Sequence, residues 1–360
     1  MKYIGRLLGW ILLGVNGLVV LLFFLSAYSP YINPQEHPLL SCIGLAFPIF
    51  LLLVLLFFFF WLLIYPRYTL LSLLAVVCCW NAVRTYIPIN CFAEERPGQA
   101  IKFLSYNTMA FGLGERHTQE SPNATLAYMA ASNADIICIQ ECIWMGKINK
   151  KEVDYALRSY KYKHYYSIYD GLNGLACYSK YPILSAKPIK YGSKLNGSIA
   201  YRIKIGEDTL LVVNNHLESN KIAEADKEVY ENMMNDPSKQ NLKEGSRLLL
   251  KKVAEASAIR SAQADTVAKI VRNFKGQGVI VCGDFNDSPI SYSHRILSEY
   301  MKDAFVESGN GLGISYNRNR FYFRIDHILA SKNLKAYECT VDRTIKASDH
   351  YPIWCYISLK

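Results

Sequence analysis

The stretch Val279-Ile-Val-Cys-Gly-Asp-Phe-Asn-Asp287 decides the fold. Its first four residues form a short apolar run, which is typical of a buried strand, and Gly283 marks the end of that run. The oxygen-bearing side chains of Asp284, Asn286 and Asp287 follow directly. Ligands and catalytic groups gather at strand ends, where a rigid scaffold meets loops. The stretch therefore predicts a buried strand that presents polar groups to a functional site.

The same pattern recurs at five other strand-like runs. A single Asp at a strand end is more often a turn former, and a single His is more often a structural hydrogen-bonding group. Six such sites in one region are difficult to attribute to turns alone. Carboxylate and amide oxygens suit Mg²⁺, and histidine titrates where acid–base chemistry takes place. The five further sites are Asn107, Gln140-Glu141, Asn214-Asn215-His216, Asp326-His327 and Ser348-Asp349-His350.

Residues 100–360 alternate strand-like and helix-like stretches. Many short strands with few, scattered helices predict a mixed α/β layer fold. The predicted strands span residues 101–106, 136–140, 175–179, 199–205, 210–214, 279–282, 325–329 and 353–357. The predicted helices span residues 125–132, 222–234 and 246–274, and the two charged helices among them most simply cover a sheet face with their polar side solvated.

Three apolar runs, at residues 9–26, 39–65 and 68–83, precede this region. The first two are long enough to span an apolar layer that needs about 20 residues, whereas the third is near the lower limit and could be re-entrant. Lys2 and Arg6 precede the first run, as in a signal peptide, but that run is longer than the roughly 7–15 residues of such a signal. The sequence predicts a transmembrane region of about three helices at 1–90, a linker at 91–99 and a second domain at 100–360.

The basic residues beside the apolar runs indicate an orientation. Lys2 and Arg6 lie before the first run, the loop at 29–38 has no Lys or Arg, and Arg67 lies between the second and third runs. The positive-inside rule then places the N-terminus in the cytoplasm and, after three crossings, the second domain on the non-cytoplasmic side. Two further arginines argue mildly against this orientation, and the domain is cytoplasmic if the third run does not cross.

The charge of the sequence indicates a class of partner, whereas its cysteines do not. Of the net charge of +10, +8 belongs to residues 98–360. A basic surface favours anionic partners such as nucleic acid, acidic lipid or phosphorylated small molecules, although a mildly basic soluble surface is the competing interpretation. The ten cysteines include no Cys-x-x-Cys pair and no Cys/His cluster with zinc spacing, and they do not settle the redox compartment.

The order of the polar motifs resembles that of the endonuclease/exonuclease/phosphatase superfamily, which includes pancreatic-type deoxyribonucleases, abasic-site endonucleases, inositol polyphosphate phosphatases and neutral sphingomyelinases. Each motif alone is weak evidence, but the set is highly specific and covers nearly all of 100–360. The motifs are Ser105-Tyr-Asn, Ile139-Gln-Glu, Gly174-Leu-Ala-Cys-Tyr-Ser-Lys-Tyr-Pro-Ile, Asn215-His-Leu, Gly283-Asp-Phe-Asn-Asp, Ile325-Asp-His-Ile-Leu and Ser348-Asp-His-Tyr-Pro.

The chain looks most like the membrane-anchored bacterial members of that superfamily. The resemblance implies a two-sheet, four-layer α/β sandwich of the DNase-like type, preceded by an N-terminal transmembrane helical region. It implies a catalytic domain at 100–360 in a multi-pass protein of the bacterial inner membrane. Together with the charge pattern, this predicts a catalytic domain on the non-cytoplasmic side.

The resemblance also implies a metal site. Glu141 would be the main Mg²⁺ ligand, with Asn107 and Asp349 helping to bind the ion, partly through water. Mn²⁺ is an alternative to Mg²⁺. Such an ion neutralises charge that develops on a phosphoester during attack and orients the group.

The remaining site residues would act on the substrate. Asp284 and Asn286 would hold and activate the attacking water, and either Asp284 or His350 could be the general base. His350, paired with Asp326, and His216 would contact the scissile phosphate. Because Asp326 lies beside His350, it would favour the imidazolium and fix the ring.

Two further assignments are less specific. Asn196 could bind the substrate phosphate, although a plain turn is an equally good interpretation. The arginines at positions 318, 320 and 324 could contact an anionic substrate, although solvated loop arginines are the more ordinary interpretation.

The resemblance implies a membrane-anchored, divalent-metal-dependent phosphoesterase that hydrolyses phosphodiester bonds, with nucleic acid as the first candidate substrate. A sphingomyelinase-like phospholipase C, or a phosphatase of lipid or inositol phosphates, is the alternative that the membrane anchor favours. A non-catalytic domain that binds phosphate-bearing ligands is a third hypothesis. It is disfavoured because no expected catalytic position is missing.

Overall fold

The computed structural model describes residues 2–92, 94–118, 120–146, 148–221, 239–318 and 322–359. The helix predicted at 222–234 and the arginine at position 320 lie outside these residues. The described strands are β1 (Ile101–Asn107), β2 (Ile136–Gln140), β3 (Tyr162–Ile168), β4 (Asn173–Ser179), β5 (Ile183–Ile189), β6 (Gly197–Ile205), β7 (Asp208–His216), β8 (Gly278–Asp284), β9 (Met301–Asp303), β10 (Asp326–Ser331), β11 (Leu334–Val341) and β12 (Ile353–Leu359).

Helices occupy both the N-terminal region and the outside of the sheets. The described right-handed α-helices are α1 (Lys2–Tyr28), α2 (Pro38–Ser41), α3 (Phe47–Ile64), α4 (Thr69–Cys78), α5 (Trp80–Tyr86), α6 (Ala124–Ala131), α7 (Lys150–Ala156), α8 (Lys239–Asn273), α9 (Tyr292–Ser298) and α10 (Ala304–Ser308). The predicted helix at 246–274 is confirmed as part of α8, which begins earlier than the prediction. Short 3₁₀ segments lie at Ser29–Tyr31, Cys42–Ala46 and Pro66–Tyr68.

The strands form two six-stranded sheets with orders β11-β12-β1-β2-β4-β3 and β5-β6-β7-β8-β10-β9. A buried core that includes Phe103, Tyr201 and Ile328 lies between the sheets. A second core joins the outer face of the first sheet to α6 and α7, and a third joins the outer face of the second sheet to α8 and α9. The four-layer α/β sandwich predicted from the resemblance is therefore confirmed.

Side-chain alternation along the strands places polar groups at one end of the space between the sheets. On β8, Ile280 and Cys282 belong to the core between the sheets, and Asp284 is the next residue on that face. Alternate side chains of a strand point to the same face, so a strand that begins in the core can end in a polar group. Asn107 on β1 and His216 on β7 end their strands in the same way.

The N-terminal region contains two helical segments, Gly5–Tyr31 and Pro38–Ile64, that are long and apolar enough to cross a membrane. A third pair, Pro66–Cys78 and Trp80–Tyr86, is bent by 68° and would make a third span if it crosses as one unit. The first two predicted apolar runs are thus confirmed as helices. The division of the chain into a transmembrane region, a linker and a catalytic domain stays a prediction, as does the membrane side of that domain.

The packing of α1 against α3 fixes where the N-terminal charges lie. The rings of Phe23, near the end of α1, and Phe47, at the start of α3, stack with centroids 5.4 Å apart. The start of α1, with Lys2 and Arg6, and the α3–α4 turn, with Arg67, therefore lie at the opposite end of the bundle. The basic residues used for the orientation prediction are thus at the end away from the sheets.

The N-terminal region packs directly against the sandwich. Arg295 Nε on α9 donates to the Pro30 carbonyl at 2.8 Å, and Gln35 Nε2 donates to Asp265 Oδ2 on α8 at 3.2 Å. Ile290, in the loop after β8, belongs to the apolar cluster of α1, α3 and α4. The loop that leaves β8 at the polar end of the sandwich therefore also contacts the membrane-type helices.

Candidate active site

Six polar side chains converge at one end of the space between the two sheets. The strand register pairs Asp284 on β8 with His216 on β7 and with Asp326 on β10. Asn107 ends β1, whose neighbour β2 ends one residue before Glu141. His350 precedes β12 and hydrogen bonds to Asp326. The structure thus brings together most of the side chains that the sequence predicted for one site.

The Asn107 amide links two carboxylates. Its Nδ2 donates to Glu141 Oε1 at 3.2 Å and to Asp284 Oδ2 at 3.0 Å. The same two oxygens each lie 3.7 Å from His216 Nε2. Two carboxylate oxygens that share one amide donor and one imidazole must lie close together, although like charges repel. Residues far apart in sequence therefore form a compact acidic centre.

His350 and Asp326 form a buried pair at this centre. His350 Nδ1 and Asp326 Oδ2 are 2.8 Å apart, and His350 Nε2 lies 3.7 Å from Asp284 Oδ2. Burial alone would lower the pKa of His350, but the carboxylates of Asp326 and Asp284 outweigh it and raise that pKa to about 10. The ring of Tyr316 packs edge-on against His350, with centroids 5.1 Å apart. The imidazole is therefore held in place and favoured as a cation.

The tautomer of His216 is set by Asn173. Asn173 Oδ1 accepts from the Gly174 amide at 2.7 Å, so Nδ2 is the atom that faces His216 Nδ1, at 3.2 Å. Because an amide nitrogen only donates, Nδ1 accepts and the neutral ring carries its proton on Nε2. Burial lowers the pKa of His216, which favours this neutral form. His216 therefore directs an N–H towards Glu141 and Asp284.

The carboxylates of the centre lie close together, so a charge on one disfavours a charge on the others. Burial raises the pKa of Glu141, and the nearby carboxylates of Asp349 and Asp326 add to that effect. Burial and Asp326 likewise raise the pKa of Asp284. Hard oxygen donors crowded in this way suit a divalent cation. The donor set therefore fits a divalent metal ion.

Unusual backbone conformations surround the centre. Glu141 and Asn286 have positive φ values of 50° and 52°. The segment Met109–Gly114 follows Asn107 closely in the chain. All of its residues have positive φ, and together they form a left-handed turn. Such a conformation costs about 1–2 kcal/mol for each non-glycine residue. The packing around the site therefore holds the backbone in conformations that it would not adopt alone.

Gly283 and Asn286 shape the end of β8. At Gly283, where φ is +121°, a Cβ would lie 2.0 Å from the Asn215 carbonyl oxygen, so only glycine fits. The Asn286 amide N–H donates to Asp284 Oδ1 at 2.8 Å, and its side chain donates to the Leu217 carbonyl at 3.0 Å. The predicted pair Asp284 and Asn286 therefore lies at the centre as one hydrogen-bonded unit.

Asn196 lies behind this unit. Its Nδ2 donates to the same Leu217 carbonyl at 3.0 Å, and its side chain is buried. The side-chain oxygen accepts from the Ser219 amide at 3.5 Å. Both ends of the amide are thus engaged by backbone groups of the loop after His216. A direct phosphate contact of Asn196 stays a prediction, and the observed role is to join two loops.

Asp349 borders the centre on the more exposed side. Its Oδ2 lies 3.6 Å from Arg318 Nη1, and that nitrogen also contacts Met109 Sδ at 3.3 Å. Ser348 Oγ donates to the Asn107 carbonyl at 2.9 Å and so ties the Asp349 loop to β1. Arg318 is therefore a half-exposed cation at the edge of the site.

Arg324 differs from the expectation of a solvated loop arginine. Its side chain is buried, Nη2 donates to the Thr85 carbonyl, and Nη1 lies 3.8 Å from Asp303 Oδ2. The guanidinium also lies over the Phe305 ring, 4.8 Å from its centroid. The expectation was wrong because both polar partners come from segments distant in sequence. Arg324 is a buried link between the sandwich and the N-terminal region.

Two residues of the centre were not predicted from the sequence. Asn173 orients His216, and Ser315 Oγ accepts from the amides of Ile325 and Asp326 at 3.1 and 3.0 Å. The only signal for Asn173 was its position directly before the Gly174 motif. No signal indicated Ser315, because its partners follow a loop and their proximity depends on the tertiary fold.

Comparison with known families identifies residues 104–350. The model of the Endonuclease/Exonuclease/phosphatase family matches residues 104–350. A second family model, described as a domain of unknown function (DUF8431), matches residues 9–86. No curated protein sequence matches this chain significantly.

Several solved structures share the fold. The catalytic domain of human Nocturnin with a bound sulfate anion has a TM-score of 0.51 and 17% identity, covering 72% of this chain and 94% of that one. TDP2 from Caenorhabditis elegans has a TM-score of 0.51 and 19% identity, covering 79% and 81%. D. rerio TDP2 complexed with a single-strand DNA product has a TM-score of 0.50 and 16% identity, covering 72% and 99%. At these identities the likeness concerns the fold alone, whereas the family model covers most of the chain. This chain belongs to the Endonuclease/Exonuclease/phosphatase family.

Proposed function

We propose that this protein is a membrane-held, Mg²⁺-dependent phosphodiesterase whose reaction takes place at the centre formed by Glu141, Asp284 and His350. The observation that carries the proposal is the crowding of Glu141 and Asp284 oxygens around one amide, beside the buried His350–Asp326 pair. Glu141 would hold the ion directly. Asn107 and Asp349 would help to bind it, partly through water, with the Asn107 amide turned to present Oδ1 in place of Nδ2. When bound, a divalent ion neutralises charge on the phosphate oxygens and orients the group, and Mn²⁺ could replace Mg²⁺.

The histidines would contact the phosphate as hydrogen-bond donors. His350 Nδ1 faces a carboxylate that only accepts, so Nδ1 carries a proton. Because, despite burial, Asp326 and Asp284 raise the pKa of His350 to about 10, the ring is an imidazolium, and Nε2 carries the second proton and can donate to a phosphate oxygen. His216 has its N–H on Nε2 for the reason given above. Donors fixed before the reaction stabilise charge as it develops in the transition state. Both rings therefore support attack on a phosphodiester.

Asp284 is the better placed general base of the two candidates. Its Oδ1 is held by the Asn286 amide, and its Oδ2 is 3.7 Å from both histidine rings. A water molecule between Asp284 and Asn286 would give its proton to the carboxylate, and the developing hydroxide would attack phosphorus. His350 would then protonate the departing oxygen. Asp284 then holds the proton from water, and His350 has lost one. Transfer of that proton from Asp284 Oδ2 to His350 Nε2, which lie 3.7 Å apart, restores both groups.

Nucleic acid is the first substrate class to test. The net charge of +8 on residues 98–360 favours a polyanion. Arg318 stands at the edge of the site, beside Asp349. A nucleic-acid phosphodiester would bring several phosphates to this surface, of which one would lie in the centre.

A lipid phosphodiester is the second class, and the loops at the site favour it. Leu113, Met145, Leu172 and Leu195 lie on loops that adjoin the site residues, and these side chains are 44–61% exposed. Exposed apolar groups that cluster on functional loops indicate contact with an apolar surface. The loop after Asp284 also reaches the membrane-type helices through Ile290. A substrate whose apolar part stays in the membrane would suit both features.

The test uses the full chain purified in detergent micelles, because both regions pack together. It is incubated with Mg²⁺ and plasmid DNA, single-stranded DNA, sphingomyelin in mixed micelles, or inositol phosphates. DNA cleavage that EDTA and Glu141→Ala abolish supports the nuclease, whereas headgroup or phosphate release supports the lipid or inositol phosphate alternative.

The matched control is Glu207→Ala, which removes a carboxylate whose side chain is 98% exposed. This variant is expected to retain wild-type activity. The proposal is contradicted if the folded wild-type protein is as inactive as folded Glu141→Ala on every phosphoester tested. That result would favour a ligand-binding domain.

A further inference from the structure

A cleft lies where the membrane-type helices meet the sandwich, apart from the catalytic centre. It has a volume of about 250 Å³. Tyr28, Tyr31 and Ala82 line it from the N-terminal region, and Ile290 and Arg295 line it from the sandwich. It lies beside the break between α4 and α5, where the helix axis bends by 68°.

The cleft contains a cation without an acidic partner. Arg295 is half-buried, and its Nε donates to the Pro30 carbonyl at 2.8 Å. Its guanidinium lies 4.9 Å from the ring centroid of Tyr31 and 5.2 Å from that of Tyr292. Among the described residues, no carboxylate oxygen lies within the 4.0 Å that defines an ion pair with it. A fixed guanidinium with free N–H groups is suited to bind a phosphate.

Apolar surface leads from the cleft along the helix bundle. Tyr28 contacts the Cys78 carbonyl through its hydroxyl at 3.5 Å, which brings the ends of α1 and α4 together. Leu25 lies one turn before Tyr28, Leu74 lies one turn before Cys78, and both leucine side chains are exposed. Exposed leucines on helices of this hydropathy face acyl chains if the helices span a membrane. A ligand with an anionic head and an apolar tail would therefore match the cleft and its surroundings.

We propose that this cleft binds one phospholipid with a negatively charged headgroup, whose phosphate contacts Arg295 and whose acyl chains lie along α1 and α4. The charge of Arg295 selects an anion, and the exposed leucines select a lipid over a soluble phosphate. Tyrosines at the ends of membrane helices lie at the level of lipid headgroups, and Tyr28 and Tyr31 are at the end of the first apolar helical segment. The site is separate from the catalytic residues, and its occupancy does not depend on which phosphoester the enzyme hydrolyses.

The experiment measures lipid binding to the delipidated full chain by native mass spectrometry in detergent. Phosphatidylglycerol and phosphatidylcholine with identical acyl chains are titrated separately. The wild type is expected to retain one phosphatidylglycerol per chain. For Arg295→Gln, the dissociation constant for phosphatidylglycerol is expected to rise by about tenfold or more, since a hydrogen bond to a charged group is lost.

Two further variants keep the test decisive. Arg84→Gln neutralises an exposed arginine on α5 outside the lining of the cleft and is expected to change the affinity less than about twofold. Ala82→Phe keeps the charge of Arg295 but fills the cleft, and it is expected to abolish the one-to-one complex. Equal affinity for both lipids overturns the proposal, as does an equal loss in Arg295→Gln and Arg84→Gln. Unchanged binding in a folded Ala82→Phe variant also overturns it.

Discussion

Asp303 is expected to be among the most sensitive positions for stability, although it lies outside the proposed catalytic set. It is a buried carboxylate shared by Arg324, His294 and His327. His294 Nε2 lies 2.9 Å from Asp303 Oδ2, and Arg324 Nη1 lies 3.8 Å from the same oxygen. Although burial would raise the pKa of Asp303, Arg324 and the histidines hold that pKa well below 3.8. This carboxylate is therefore the counter-charge of a buried arginine.

Asp303→Asn removes the charge but keeps the shape. The native Oδ1 accepts from the Phe305 and Val306 amides at 2.8 and 3.3 Å and so caps α10. Asn can still provide this cap, so the loss comes from leaving Arg324 buried without its partner, which costs about 3–5 kcal/mol. Asp303→Ala also loses the cap and should cost about 1 kcal/mol more.

The assay is thermal unfolding of the full chain in detergent, followed by circular dichroism. A loss of 3–5 kcal/mol corresponds to a fall in Tm of roughly 10 °C for a domain of this size. The control is Glu299→Gln, which breaks an ion pair with Arg272 whose side chains are 44% and 45% exposed, and it should cost less than about 1 kcal/mol. If Asp303→Asn costs no more than this control, the buried charge does not contribute as described.

The effect of Asp303→Asn also has a defined pH dependence. Because the folded pKa lies below the unfolded value of 3.8, the ionised carboxylate stabilises the folded state at every pH above that value. This stabilisation is lost as the pH falls through the folded pKa. The difference between wild type and variant should therefore be constant at neutral pH and should shrink below about pH 4. A difference that grows on acidification would refute this assignment.

Three other changes test the centre and its support. Asp326→Asn should lower kcat by about 10²–10⁴-fold with little change in KM, because the imidazole of His350 loses the carboxylate that fixes its ring. Steady-state kinetics measure both constants, and an unchanged kcat would contradict this role. Glu141→Gln should abolish the rise in Tm that Mg²⁺ causes, but it should not lower Tm in EDTA. The reason is that burial and the nearby Asp349 raise the pKa of Glu141, so removing this charge does not destabilise the metal-free protein. A metal-induced rise in Tm equal to that of wild type would argue against Glu141 as a ligand. Gly44→Ala should lower the free energy of unfolding by about 1–3 kcal/mol and reduce activity, because a Cβ at this position would lie 2.5 Å from the Ile290 carbonyl oxygen in the loop after β8. The control is Gly14→Ala, where a Cβ would have no atom within 4 Å. Equal effects of the two substitutions would exclude this contact as the cause.

The interior of both sheets could be predicted from the sequence, and the edges could not. Each of the eight predicted strands corresponds to an interior strand. The four described strands that were not predicted, β3, β5, β9 and β11, are the edges of the two sheets. An interior strand is covered on both faces and reads as a continuous apolar run. An edge strand such as Tyr162–Ile168 has mostly half-buried residues with two exposed ones and no regular alternation, so its pattern does not differ from that of a loop.

The main residues of the centre could be predicted because each lies at or beside one end of an apolar strand and the motifs follow a family order. Partners that depend on chain crossings could not be predicted. Asn173 starts β4 in the first sheet, whereas His216 ends β7 in the second, and only the sandwich brings them together. The burial of Arg324 likewise requires Asp303 and the end of α5. The local sequence indicates how deeply a segment is buried, but it does not indicate which distant residues the segment contacts.

The contact between the N-terminal helices and the site loop also escaped prediction. The apolar runs predict helices long enough to cross a membrane, and a run of this kind can pack equally well against lipid or protein. Gly44 gave no signal, since its importance arises from the close approach of the Ile290 carbonyl. The N-terminal region therefore packs against the loop after Asp284, whatever its relation to a membrane.

The most direct test of the account is hydrolysis of a small chromogenic phosphodiester, such as bis(p-nitrophenyl) phosphate, by the full chain as Mg²⁺ is titrated. This assay does not require the natural substrate to be known, and it measures only whether the centre catalyses phosphodiester hydrolysis. The account predicts activity that saturates with Mg²⁺, that EDTA abolishes, and that falls at least about 100-fold in both Glu141→Ala and Asp284→Asn. Activity that persists in EDTA, or that is equal in wild type and both folded variants, would contradict the assignment of this site.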